Sequence, residues 1–371
     1  MRSPASRRTP APSTTARGSR SSVSRRAPSS VRTSSGRAGP RVATAGCSTL
    51  RRRPPGSSLC GVTWSADDIP DLSGRRAVIT GVTGGLGLHT ALGLARKGAE
   101  LVVTARDETK ASAVVDRIRR DVPRVRIDVV ALDLADLADA KRAAAEVAGT
   151  YDRIDVLVNN AGIMIPPRSE TKDGFELQIG TNHLGHFAWT AGLWPVLDAS
   201  DARVVTVSSM AHTSVGGIDL TSLTPAGSPR RYRRWQSYAE SKLANLLFAV
   251  ELDRRAKAAG SGVVSVAAHP GYAATNLTKT GPSVRGVSLP GVGIHQVSKI
   301  IGQPASHGAW PLLMAATDPS LTGGEYVGPG SLGGMRGRPK LVGMSRAARD
   351  ESLADDLWAA SEAATGVELK V

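Results

Sequence analysis

Cysteine is confined to the first part of the chain. Among 371 residues the only two are Cys47 and Cys60. Residues 61–371 therefore hold no disulfide, no thiolate metal site and no cysteine nucleophile. Histidine is scarce as well, with seven residues and no His-Glu-x-x-His pattern. His183 and His186 stand three apart on a predicted helix without an acidic or thiol partner. Packing, or contact with a bound ligand, is expected there rather than a metal. No run of 18 apolar residues occurs, so no transmembrane helix is expected.

The first 66 residues lack acid altogether. They carry thirteen arginines, Arg2 to Arg53, and no lysine, and the first carboxylate is Asp67. Of the 47 basic and 32 acidic residues, 47 − 13 = 34 basic and all 32 acidic residues fall in 67–371, a net of +2. The whole-chain +15 alone suggests a nucleic-acid binder, but the body does not carry that charge, so no nucleic-acid partner is expected for it. Residues 1–66 also have few large apolar residues and a single aromatic, Trp64. Such a stretch cannot offset its chain entropy by burial and is predicted to be a disordered Arg/Ser/Pro-rich extension.

No apolar segment follows Arg7–Arg8 or Arg25–Arg26, which argues against a secretory signal. The composition fits an organellar transit segment, although prolines 4, 10, 12, 28, 40, 54 and 55 weaken the helix that a mitochondrial signal needs. Charge alone allows a tether to nucleic acid or an anionic surface, without aromatics for base stacking. Enrichment in Arg, Ala, Gly and Pro fits a nonfunctional extension from a start codon read too early in GC-rich DNA, which is the reading taken. The expected location is then cytoplasmic, with organellar targeting as the lesser reading.

Residues 67–371 alternate strand and helix. Arg76–Thr80, Leu101–Thr104, Val125–Leu132, Ile154–Val158, Arg203–Val207 and Val263–Ala268 read as strands, with a last one near Glu325–Val327. Residues 85–97, 107–121, 136–149 and about 237–259 read as helices. Apolar strands separated by helices imply a parallel sheet covered on both faces. The expectation is α/β: one doubly wound domain over 67–371 with about seven parallel strands.

Thr80-Gly-Val-Thr-Gly-Gly-Leu-Gly87 joins the first strand to the first helix. Small residues there let backbone approach a pyrophosphate, and the helix N-terminus supplies free N–H groups and a positive dipole. Gly81, Thr83, Gly85, Leu86 and Gly87 are the candidate phosphate-binding residues. The spacing Thr-Gly-x3-Gly-x-Gly has no Walker lysine. About 20 residues on, the second strand ends in Ala105-Arg106-Asp107. Arginine there suits the 2′-phosphate of NADP and an acid suits the ribose of NAD. Arg106 comes first, so NADP(H) is favoured, and Asp107 leaves NAD(H) open.

Tyr238 and Lys242 stand four apart on one face of a predicted helix. A phenol with an ordinary pKa near 10 is a poor base. A neighbouring ammonium, together with an oxidised nicotinamide, would stabilise the phenolate and lower that value.

Five motifs then occur in one order: the glycine loop, Asn159-Asn-Ala-Gly162, Val207-Ser-Ser209, Tyr238 with Lys242, and His269-Pro-Gly271. Over roughly residues 70–330 the chain resembles the short-chain dehydrogenase/reductase family and its Rossmann fold. Asn182-His-Leu-Gly-His-Phe187, Ser241-Lys-Leu-Ala-Asn245 and Gly323-Gly-Glu-Tyr326 resemble the branch of retinol dehydrogenases and WW-domain oxidoreductases.

The resemblance implies roles. Tyr238 would be the general acid/base. Lys242 would lower its pKa and hold the nicotinamide ribose. Ser209, rather than Ser208, would hydrogen-bond the substrate oxygen, and Asn182 would support a water-linked proton relay with Lys242. Asp133 would contact adenine, with Leu134 beside it. Asn160, Ala161 and Gly162 would line the cofactor, and Pro270, Gly271 and Thr275 would pass near the carboxamide.

The implied activity is hydride transfer between NADP(H) and an alcohol, aldehyde or ketone, with a hydrophobic small-molecule substrate. The runner-up is a non-catalytic NADP(H)-binding sensor or scaffold. Loss of a member of the Asn-Ser-Tyr-Lys set would favour the runner-up, and none is lost. Homo-oligomers occur in such families and stay open here. Two segments stand apart. The connection from Ser209 to Tyr238 carries Arg230, Arg231, Arg233 and Arg234, either solvated or attracting an anion. Residues 276–304 correspond to the family's substrate lid.

Overall fold

The computed structural model of the protein describes residues 64–225, 229–272 and 303–371. One eight-stranded sheet runs in the order β3-β2-β1-β4-β5-β6-β7-β8. Its strands are β1 Arg76–Thr80, β2 Glu100–Ala105, β3 Ile127–Ala131, β4 Val156–Asn159, β5 Arg203–Val207, β6 Val264–Ala268, β7 Tyr326–Ser331 and β8 Arg336–Leu341. The first seven are parallel, as the alternation predicts. β8 is an addition to that expectation and pairs antiparallel with β7, setting Pro329 opposite Pro339. Arg-Gly-Arg-Pro-Lys-Leu lacks an apolar run and contains proline, which suits an edge strand with no further neighbour to donate to.

The helices are α1 Gly85–Ala95, α2 Glu108–Asp121, α3 Leu137–Thr150, α4 Gly185–Ala199, α5 Arg234–Ala259, α6 Trp310–Thr317 and α7 Glu351–Thr365. A helical turn, Leu177–Ile179, and a π-helical turn, Gly180–Leu184, lead into α4. Alternate strand residues divide between the two faces of the sheet, as the period of two requires. Val78, Val102, Leu157 and Val204 belong to the core that includes residues of α3, α4, α5 and α7. Ala77, Ile79, Leu101, Val103, Val158 and Val205 belong to the core that includes residues of α1, α2 and α6.

The folded body begins before Asp67. Trp64, assigned to the extension by composition, is buried in the same core as Ile69 and Leu72, and the Ser65 side chain caps a short helix, Ala66–Asp68. The cause is plain: an indole buries enough apolar surface to hold three more residues of chain. Residues 1–63 of the expected extension lie outside the described residues.

The strand order reverses between β1 and β4, which opens a crevice at their carboxyl ends, the place where such sheets bind ligands. Residues that follow β1, β4 and β5, and residues on the first turns of α5, meet there.

Candidate active site

The crevice is built from close backbone approach. Gly81 has φ +73°, and a Cβ on it would stand 2.7 Å from the Ala161 Cα. A Cβ on Gly87 would overlap the Gly81 carbonyl and come 2.7 Å from Asn160 Nδ2. Only glycine lets α1 begin this near β1 and the β4 loop. The N-cap Gly84 has no side chain to cap α1, so the first-turn N–H groups keep no side-chain partner. Thr83 is exposed on the loop, Gly85 half-buried and Leu86 buried.

Thr80, at the end of β1, organises the second wall. Its hydroxyl accepts from the backbone N–H groups of Asn160 at 2.9 Å and Ala161 at 3.0 Å. The Asn160 side chain donates back to the Thr80 carbonyl at 2.7 Å and the Gly81 carbonyl at 3.1 Å. Its amide thus holds the glycine loop in shape.

Arg106 is exposed at the end of β2, and its guanidinium lies 3.9 Å from the Asp133 carboxylate. Asp107 is engaged elsewhere: its carboxylate caps α2 through Lys110 N–H at 3.0 Å and pairs with the Lys110 ammonium at 2.8 Å. An acid that ends a strand and begins a helix is drawn to the N-cap, which competes with the ribose contact considered from sequence. The Leu134 side chain is buried in the core, and its carbonyl packs closely against Gly185 at the start of α4.

The residues singled out for proton transfer converge. Tyr238 and Lys242, on α5, are 6% and 4% exposed, with the Lys242 ammonium 5.9 Å from the Tyr238 ring centroid. Burial raises the Tyr238 phenol above its ordinary value, opposed by a hydrogen bond with the Ser209 side chain. Desolvation outweighs that hydrogen bond, whereas the lowering expected from sequence counted on the ammonium together with an oxidised nicotinamide. Burial pushes the Lys242 ammonium down to about 8. Among the described residues that ammonium makes no ion pair and donates one hydrogen bond, to the Val207 carbonyl at 3.1 Å.

Ser208 and Ser209 separate cleanly. Ser208 is buried and donates to the Lys242 carbonyl at 2.7 Å, a structural bond. Ser209 is half-buried at the start of a short helix and faces Tyr238. Asn182 is fully buried: its amide donates to the Ile163 carbonyl at 3.0 Å and to Ser241 Oγ at 2.9 Å, while Oδ1 accepts from Ile163 N–H at 2.8 Å. Gly162 lies against Asn182 and Lys242, where a Cβ would stand 3.0 Å from Asn182 Oδ1 and 3.5 Å from Lys242 Nζ.

His183 and His186 point to different partners, Ser361 Oγ at 2.8 Å and Thr80 Oγ1 at 2.9 Å, and burial pushes both far below the usual imidazole value. No group able to hold a metal forms among the described residues.

Gln178 escaped sequence reading. It is fully buried, and its Oε1 accepts from Ile165 N–H at 2.8 Å while its Nε2 donates to Tyr232 Oη and the Arg234 carbonyl, each at 3.0 Å. Ile165 has φ +51°, costly for a β-branched residue, and directly precedes Pro166. The Pro166 carbonyl accepts from Tyr232 Oη at 3.1 Å. Two side chains therefore fix a strained loop beside the helix that carries Tyr238. Met164, on that loop, and Val215 pack against the small cluster of Ala211, Tyr238 and Ala239. Beyond them an open groove of about 770 Å³ is lined by Val215, Ile218 and Trp235 among others.

Arg230 also lines this groove and is paired with Asp219 and Glu240, at 2.6 and 3.1 Å, whereas Arg231, Arg233 and Arg234 are exposed and form no ion pair among the described residues. After β6, the Gly271 N–H donates to His269 Nδ1 at 3.2 Å and the Pro270 carbonyl accepts from Gln303 Nε2 at 2.9 Å. Thr275 and the expected lid, apart from Gln303 and Pro304, lie outside the described residues. No described helix is long and apolar enough to cross a membrane.

These features fit a dinucleotide. The glycine approach leaves room for a pyrophosphate at uncapped N–H groups, and a buried ammonium retains donors for ribose hydroxyls. Comparison with known proteins agrees. The short chain dehydrogenase family pattern matches residues 75–222. The mouse polyprenol dehydrogenase is 37% identical over 305 residues, covering 80% of this chain and 86% of that protein. Human retinol dehydrogenase 13 is 35% identical over 301 residues, with the same two coverages, 80% and 86%. A solved structure from Beutenbergia cavernae, described as an NAD(P) dependent gluconate 5-dehydrogenase with NADP bound at low occupancy, is 27% identical with a TM-score of 0.53, covering 69% of this chain and 95% of that one.

Proposed function

The chain belongs to the short-chain dehydrogenase/reductase family of oxidoreductases acting on CH–OH groups, and from that premise we propose that it interconverts a hydrophobic alcohol and its aldehyde or ketone using NADP(H), with Tyr238 as general acid/base. The carrying observation is the convergence of Tyr238, Ser209, Lys242 and Asn182 beside the glycine loop at the β1/β4 crevice. The cofactor, when bound, supplies or accepts the hydride. Gly81 and Gly87 would leave room for its pyrophosphate, the first turn of α1 would donate to the phosphate oxygens, and Arg106 would hold the 2′-phosphate.

Ser209 hydrogen-bonds the substrate oxygen. Tyr238, whose phenol burial keeps protonated at neutral pH, donates its proton to that oxygen as the carbonyl carbon is reduced. Lys242 then stabilises the phenolate left behind and returns a proton through the Asn182 side of the site. Run in reverse, the phenolate takes the alcohol proton. Apolar Met164 and Val215 beside Tyr238, and the polyprenol and retinol named for the two relatives, support a hydrophobic substrate. The proposed site lies on one domain spanning 64–371.

Purified protein with NADPH and a panel of hydrophobic aldehydes should oxidise the cofactor. Tyr238→Phe should slow that turnover by about 10²- to 10⁴-fold, the usual worth of a general acid, while still binding NADPH. Unchanged turnover in this variant refutes the assignment of Tyr238.

A further inference from the structure

We propose that His186 is a positioning residue that, in a single tautomer, joins the glycine-loop end of β1 to the main-chain carbonyl of Asn182, coupling the cofactor cradle to the proton-transfer group. The inference rests on the function proposed above.

His186 is 1% exposed, on the first turn of α4. Its Nδ1 lies 3.0 Å from the Asn182 carbonyl oxygen, which can only accept, so Nδ1 carries the hydrogen. A neutral ring then leaves Nε2 as an acceptor. Thr80 Oγ1, 2.9 Å from Nε2, supplies the proton for that bond, the competing Val158 carbonyl lying farther off at 3.4 Å. The same hydroxyl's lone pairs accept the N–H groups of Asn160 and Ala161. Every polar atom of the imidazole and of the Thr80 hydroxyl is used, and each partner dictates the next.

At the other end, the Asn182 side chain is spent on Ile163 and Ser241. The Asn182 carbonyl is thus the group of that residue whose direction His186 sets. Displacing the ring frees that carbonyl on one side and, on the other, removes the Nε2 partner that orients the Thr80 hydroxyl toward Asn160 and Ala161. No charge or packing role requires both contacts. Phe187 and Phe248 fill the adjacent core with His183, not with His186.

Two substitutions separate the ends. His186→Asn places an amide donor near Nδ1 and keeps the Asn182 contact but cannot reach Thr80. His186→Gln reaches Thr80 but loses the Nδ1 donor. NADPH binding by fluorescence titration should weaken about tenfold in His186→Asn, the worth of one buried hydrogen bond, and stay within about twofold in His186→Gln. The kcat should fall about tenfold in His186→Gln, with little change in NADPH affinity.

Nitrogen NMR of the wild-type histidine ring should show a protonated Nδ1 and a bare Nε2. Equal losses in both variants reduce the residue to packing and overturn the proposal, as does an Nε2–H tautomer. If the wild type turns over no substrate, the proposed activity fails, while the NMR tautomer and the affinity difference still decide the His186–Thr80 link.

Discussion

Replacing Lys242 with methionine should stabilise the cofactor-free protein while removing its chemistry. The ammonium is 4% exposed, and burial lowers it from 10.5 to about 8. At ~1.4 kcal/mol per pH unit, that displacement of 10.5 − 8 = 2.5 means that keeping the group charged at pH 7 costs roughly 3 kcal/mol. Methionine keeps the length of the stem and needs no water. It gives up the hydrogen bond to the Val207 carbonyl, worth about 1–2 kcal/mol. That carbonyl is not orphaned, because Asn245 Nδ2 donates to it at 3.0 Å. The net is a gain of about 1–2 kcal/mol, a rise in Tm of roughly 2–6 °C.

The pH dependence sharpens the test. Unfolded lysine holds its proton up to about 10.5, while the folded group releases it near 8. Wild-type stability therefore climbs as pH rises through that window. Lys242→Met lacks the climb, so the two curves converge. Chemical denaturation at pH 7 and pH 9.5 measures this. A methionine variant less stable than wild type at pH 7, or two parallel pH curves, refutes the reasoning.

Arg106→Ala should raise the NADPH KM by about 10- to 100-fold, the worth of lost charge-assisted bonds to a phosphate, and shift the NADH KM by no more than about threefold. Steady-state kinetics with both cofactors checks this, and equal shifts contradict it. Gln178→Leu leaves the Ile165 N–H without its partner and removes one bond each from Tyr232 Oη and the Arg234 carbonyl. It should cost about 2–4 kcal/mol in urea unfolding and raise substrate KM more than the NADPH dissociation constant. A chain beginning at Thr63 should match the full-length protein in Tm. One beginning at Asp67 loses Trp64 and the Ser65 cap and should be about 2–4 kcal/mol less stable by denaturant titration.

Much of the fold was legible because apolar periodicity reports burial on both sheet faces. The seven parallel strands, the glycine loop and α5 fall close to where the pattern puts them. β8 was hidden because its pairing depends on β7 rather than on its own residues. Trp64 was misplaced because the surrounding composition outweighed one aromatic residue. Asp107 was kept open as an alternative ribose contact because its capping role depends on where α2 begins.

The site was legible as a set of motifs, and its wiring was not. The bond from His186 to Thr80 spans 106 positions, and those from Asn160 to Thr80 span 80. No local pattern encodes such pairs. Fold residues recur with a period because each meets the same surface, whereas a buried polar group needs one particular partner. His183 and His186 were expected to pack or to meet a ligand rather than share a metal, but their spacing could not say that one meets Ser361 on α7 and the other Thr80 on β1. Polar side chains at full burial, Gln178, Asn182 and His186, are costly unless every bond is made. Their placement at the crevice, between the β4 loop and the start of α5, marks where this chain gives up packing freedom to hold a reactive geometry.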